Sequence, residues 1–106
     1  MERQELITQL HALQCSCIIH NNSITRTFHE RGVQDLHRLL KQEPEILSGA
    51  SLADKVVGKG AAALMIAGGV AWVYADVISQ AAMELFKQSK VDVQYGEIVP
   101  NIINRA

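Results

Sequence analysis

Val70-Ala71-Trp72-Val73-Tyr74-Ala75-Asp76-Val77-Ile78 decides how this sequence folds. Its apolar character is nearly continuous, which fits a central strand covered on both faces rather than a strand with one wet side. Immediately before it, Gly68-Gly69 offers the left-handed backbone that stops a helix. Immediately after it, Ser79 is placed to cap a helix over residues 80–87, with Ala82, Leu85 and Phe86 turned inward. A short strand is expected at residues 91–94. Strand, helix, strand in that order makes a parallel crossover.

Upstream of this unit, Ser48-Gly49-Ala50-Ser51 reads as a small-residue loop, and Ser51 with Asp54 three residues on resembles an aspartate version of a capping box. The expectation is a helix from near Leu52 to about Ala67. Gly58, Gly60, Ala61, Ala62 and Ala63 leave it a surface of little bulk that can lie close to a sheet, offsetting the roughly 1 kcal/mol helix cost of each glycine.

Further towards the N-terminus, residues 15–20 (CSCIIH) and 23–28 (SITRTF) are β-rich and flank Asn21-Asn22, which tolerate the positive φ of a hairpin turn. Pleating puts Cys15, Cys17 and Ile19 on one face and Ser16, Ile18 and His20 on the other. Neither face is wholly polar, so both are expected to be covered. Gly32 permits a turn into a helix striped by Val33, Leu36 and Leu40, which Pro44 ends or kinks. Leu6, Ile7, Leu10 and Leu13 give residues 3–13 the spacing of an amphipathic first helix.

At the far end, Pro100 is placed to open a last helical turn in GEIVPNIINRA, with Val99, Ile102 and Ile103 apolar. So much apolar surface there must pack on the core or on a second copy, and a homodimer is expected.

The 106 residues suit one domain, spanning 1–106, with one core. A net charge of −1 provides no general attraction for nucleic acid or anionic lipid. The sequence opens on MERQELITQL, with charges rather than a basic patch and apolar run, and its longest apolar stretch, residues 60–75, falls short of the ~20 residues that span a bilayer. Two cysteines one residue apart do not easily close on each other. A cytoplasmic location without a membrane or nucleic-acid partner is the simplest expectation.

Four segments carry a resemblance to a known family: Glu30-Arg31-Gly32-Val33, Ala53-Asp54-Lys55-Val56-Val57-Gly58-Lys59, Val73-Tyr74-Ala75-Asp76-Val77, and Asn104-Arg105. The chain resembles an uncharacterised prokaryotic family with a cytidine deaminase-like fold, and the second segment is the distinctive one. The resemblance implies a three-layer α/β/α sandwich with a mixed sheet, antiparallel at the N-terminal hairpin and parallel later. It implies no activity. Similar chains continue past the Asn-Arg into a glycine- and cysteine-containing segment, so a site completed by that segment would lie outside residues 1–106.

Zinc deaminases hold their metal with a His or Cys and a Glu at one helix start and Pro-Cys-x-x-Cys at the next. Laid on that fold, those places fall at Asp54-Lys55 and residues 79–83, which offer neither imidazole nor thiolate. No metal and no cofactor is therefore expected. His11, His20, His29 and His37 are scattered without HExxH or CxxC spacing, as structural histidines are. Cys15 and Cys17 read as small buried hydrophobes, with a redox pair as the alternative. Gly58-Lys59-Gly60 lacks the first glycine and the Ser/Thr of a phosphate loop.

What is left is positional. Open α/β sheets bind ligands beyond the carboxyl ends of their parallel strands, where helix N-termini present N–H groups. Ser51, Asp54, Lys55 and Ser79 are expected at that edge, with Arg31 nearby to grip a carboxylate or phosphate. The bland alternative is a helix start favoured by its dipole, solvated lysines, and Arg31 paired with Glu30 or Asp35. No residue is nominated as catalytic. Three functions remain open: a zinc-less module binding a small nucleotide-like or anionic ligand; a metal-free enzyme using Asp54, Lys55 or Cys17; or a structural, interacting homodimer.

Overall fold

The computed structural model describes residues 1–30 and 33–102. Among these residues ten elements follow one another: α1 (Arg3–Ala12), β1 (Cys17–Asn21), β2 (Ile24–Phe28), α2 (Gln34–Gln42), α3 (Pro44–Leu47), β3 (Ser51–Val57), α4 (Lys59–Ala67), β4 (Trp72–Ser79), α5 (Gln80–Lys87) and β5 (Asp92–Val99). The five strands form one mixed sheet in the order β2-β1-β3-β4-β5. β1 is antiparallel to both β2 and β3, while β3, β4 and β5 run parallel.

Helices cover both faces of the sheet. α1 lies on one, where Leu6, Ile7 and Leu10 bury against Ile18, Ala53, Trp72 and Tyr74. The remaining helices lie on the other, packing Leu36, Leu39, Leu47, Met65 and Phe86 on Ile19, Leu52, Val73 and Ile78. The layered α/β architecture and the parallel β4-α5-β5 crossover are those expected from the sequence. Gly69 takes φ +77° behind α4, and the Ser79 hydroxyl accepts the Ala82 N–H at 3.1 Å to cap α5.

Three expectations change. Residues 51–57 form a strand, β3, inserted between the hairpin and β4, rather than the first half of a helix. Leu52 and Val57 fill a gap between two neighbours that already need hydrogen bonds, and this pairing outweighs any local helix tendency. The helix begins only at Lys59, after the extended Gly58.

The hairpin turn lies one residue later than Asn21-Asn22. Asn21 pairs with Ile24, Asn22 takes φ +56°, and the Asn21 amide donates to the carbonyls of Glu45, Ile46 and Ser48 at the end of α3. The tail also departs from its reading: the last strand continues through Val99 beside all of β4, so Pro100 follows a strand instead of opening a helix. Ile103, Asn104 and Arg105 lie outside the described residues.

Candidate functional site

β3 carries the two charged residues of the distinctive segment side by side, and pleating sends them to opposite faces. Asp54 stands opposite Cys17 of β1 and Ala75 of β4, both in the core beneath α2 to α5. Lys55 turns towards the α1 side, where its charge acts on the thiol of Cys15, while its N–H bonds the Ser16 carbonyl at 3.0 Å. Neither sits at a helix start. Being adjacent on a strand, they cannot share a small ligand as two residues of one helix turn do.

Asp54 is only partly buried, yet its carboxyl is pushed up to about 7. Loss of solvation is the leading cause, and backbone N–H groups of Val56 and Lys55 oppose it, the former at 3.3 Å from Oδ1. The negative charge of Asp76, next in sequence to the Ala75 that pairs with Asp54, adds to the rise. Among the described residues no Lys, Arg or His forms a salt bridge with Asp54.

From Asp54 the strand runs to Val57, and Gly58 then opens α4 without a side-chain cap, with Lys59 exposed in the first turn. One strand over, Ser79 ends β4 and opens α5, which packs beside α4. The carboxyl edge of the parallel strands therefore gathers Gly58, Lys59 and Ser79, with Asp54 leading into it. The Ser79 hydroxyl is already engaged as a cap. Ser51 is not part of this edge: as the first residue of β3 it pairs with Trp72, at the other end of the sheet. Arg31 falls outside the described residues.

A second polar cluster escaped sequence reading. On the α1 face, His11 Nε2 lies 2.7 Å from Asp76 Oδ1, and the Tyr74 hydroxyl donates to the same oxygen at 2.7 Å. The His11 and Tyr74 rings meet edge to face, 6.4 Å apart. Burial, then the Asp76 hydrogen bond and charge, pushes the Tyr74 phenol up to about 12. His11 and Asp76 are 65 residues apart, and no spacing rule links them.

The cysteines do not share a face. Cys15 precedes β1 and belongs to the α1-side core, with its thiol 3.9 Å from the Leu10 carbonyl, whereas Cys17 belongs to the opposite core. Both are free and buried. Burial raises both thiol pKa values, that of Cys17 well above the ordinary range. Among the described residues, no three His, Cys, Asp or Glu side chains are grouped to hold a metal ion, and no helix is long and apolar enough to cross a membrane.

A family model described as a domain of unknown function, DUF1893 (TM1506), matches residues 5–106. The chain belongs to the DUF1893 family. Among solved structures, it is similar to the crystal structure of a DUF1893 family protein (TM1506) from Thermotoga maritima, with a TM-score of 0.84 and 21% identity over 96% of this chain and 69% of that one. At that identity the likeness establishes the shared fold of the DUF1893 domain and carries no activity with it. No curated protein matches the chain.

Proposed function

We propose that this DUF1893 domain is a zinc-less, deaminase-like module that binds a small nucleotide-like or anionic ligand at the carboxyl ends of β3 and β4. The observation that carries this reading is the edge itself. α4 and α5 both open there, and the first N–H groups of α4 have no side-chain acceptor behind the uncapped Gly58. Such N–H groups and the exposed Lys59 favour an anionic group.

Asp54 supports the nucleotide-like half of the reading. It lies four residues before Gly58, or about 13 Å along an extended chain. A carboxyl held at about 7 is present in both protonation states near neutrality, so it can donate to or accept from a hydroxyl or base edge. The same property favours a second reading, a metal-free enzyme with Asp54 as general acid or base. A cytoplasmic setting belongs to the proposal, since two buried thiols remain free.

The test is a thermal-shift series with nucleotides, nucleosides and sugar phosphates on the wild type, Lys59→Ala and Asp54→Asn. A ligand at 100 times its Kd stabilises the folded state by about 2.7 kcal/mol. Stabilisation by phosphorylated ligands that weakens in Lys59→Ala is the expected result, and weakening in Asp54→Asn extends the site to that residue. Conversion of the bound ligand, lost in Asp54→Asn, selects the enzyme. Absence of any shift across the series overturns both readings.

A further inference from the structure

We infer that β5 is a self-pairing edge, through which two copies of this chain join their sheets into one ten-stranded antiparallel-joined sheet about a two-fold axis at Tyr95. β5 ends the strand order, and its inner edge is paired with β4 from Asp92 to Val99. The outer row of N–H and C=O groups has no strand beside it among the described residues. An edge of this kind is a template for another strand unless something blunts it.

The two edges of the sheet differ in length. β2, at the far edge, has only five residues with Ile24 exposed, and each edge strand carries one ion pair, Arg26–Glu43 on β2 and Arg3–Asp92 on β5, so it is length that separates them. β5 has eight residues with no proline, lysine or arginine, and it leaves Tyr95 and Ile98 more than two-fifths exposed. A long edge bearing exposed apolar side chains is what a monomer avoids and a sheet-extending interface needs.

The hydrogen-bond pattern sets the register. The Asp92 N–H donates inward to the Ala71 carbonyl at 3.0 Å, so by alternation Gln94 also bonds inward while Val93 and Tyr95 present their backbone groups outward. Two antiparallel copies centred on Tyr95 can exchange both of its backbone bonds, overlap over residues 92–98, and set the two phenol rings side by side as a cross-strand aromatic pair. Glu97 then faces Val93, and Asp92, already bonded to Arg3 at 2.9 Å, faces Ile98. No carboxylate meets another. Moving the centre to Glu97 would bring two carboxylates together, which disfavours that register.

Sedimentation equilibrium on the whole chain tests the proposal together with cysteine trapping. The wild type should sediment at twice the 11.7 kDa chain mass. Tyr95→Pro removes an outward N–H while leaving the bonds to β4, and should sediment as a monomer with an unchanged circular dichroism spectrum. Tyr95→Lys, which keeps the backbone intact, should weaken the dimer at least tenfold. A hydrogen-bonded antiparallel pair separates its Cα atoms by about 5.5 Å, within disulfide range. Under diamide, Tyr95→Cys should therefore cross-link to a covalent dimer, whereas Glu97→Cys, about 13 Å from its copy, should not. A monomeric wild type at high protein concentration overturns the proposal. A dimer that survives both Tyr95→Pro and Tyr95→Lys, or that cross-links better through Glu97→Cys, places the contact elsewhere and overturns it equally.

Discussion

His11 on the last turn of α1 and Asp76 in the middle of β4 meet at 2.7 Å, and this contact ties α1 to the central strand. Half of the His11 side chain is exposed, so the pair by itself is worth about 0.5–1 kcal/mol.

Substitution of the two partners should therefore be unequal. His11→Ala is expected to cost no more than about 1 kcal/mol in urea unfolding. Asp76→Ala also removes the acceptor of the part-buried Tyr74 hydroxyl, and about 1 kcal/mol more is expected for that lost hydrogen bond. Asp76→Asn should lower the Tyr74 phenol from about 12, because a charge that opposes its ionisation is removed; ultraviolet titration reads this directly. Equal costs for His11→Ala and Asp76→Ala would show that the Tyr74 bond contributes nothing.

Asp54 gives stability a slope with pH. Its folded pKa of about 7 lies above the 3.8 of a free carboxyl, so between those values the folded chain holds a proton that the unfolded chain has released. Stability from this group is complete below pH 4 and is lost as pH rises through 7. One pKa unit corresponds to 1.36 kcal/mol, and with a discount for partial exposure the loss should be about 2 kcal/mol. Asp54→Asn should flatten the profile of unfolding free energy over that interval; an unchanged profile would mean that Asp54 ionises freely.

The thiols should be silent in the folded state. Cys15 and Cys17 are buried in separate cores and both have raised pKa values, so a disulfide-exchange reagent at neutral pH should label neither until the chain unfolds. Both should then react together in denaturant. Rapid labelling of Cys17 in the folded protein would bring it back as a nucleophile.

Much of the framework is legible along the chain because its signals are local. The apolar run at 70–78 is a buried strand, Gly68-Gly69 ends a helix, and Ser79 starts the next, each through chemistry confined to a few neighbouring residues. The amphipathic spacing of Leu6, Ile7 and Leu10 likewise identifies α1. Residues 51–57 carry no such decisive signal. Leu52, Ala53, Val56 and Val57 suit a helix or a strand equally, and the demand of β1 and β4 for hydrogen-bond partners settles the matter.

That one assignment moved the candidate site. A strand in place of a helix turns Asp54 and Lys55 to opposite faces, sends Ser51 to the far end of the sheet, and brings Gly58 and Lys59 to the helix start that Asp54 and Lys55 were expected to occupy. The association of His11, Tyr74 and Asp76 belongs to tertiary structure for the same reason. Local sequence determines where helices start and stop, through caps, glycines and apolar spacing. Which side chains share a site depends on strand order and register, and these are set by pairings between segments that sequence separation keeps apart.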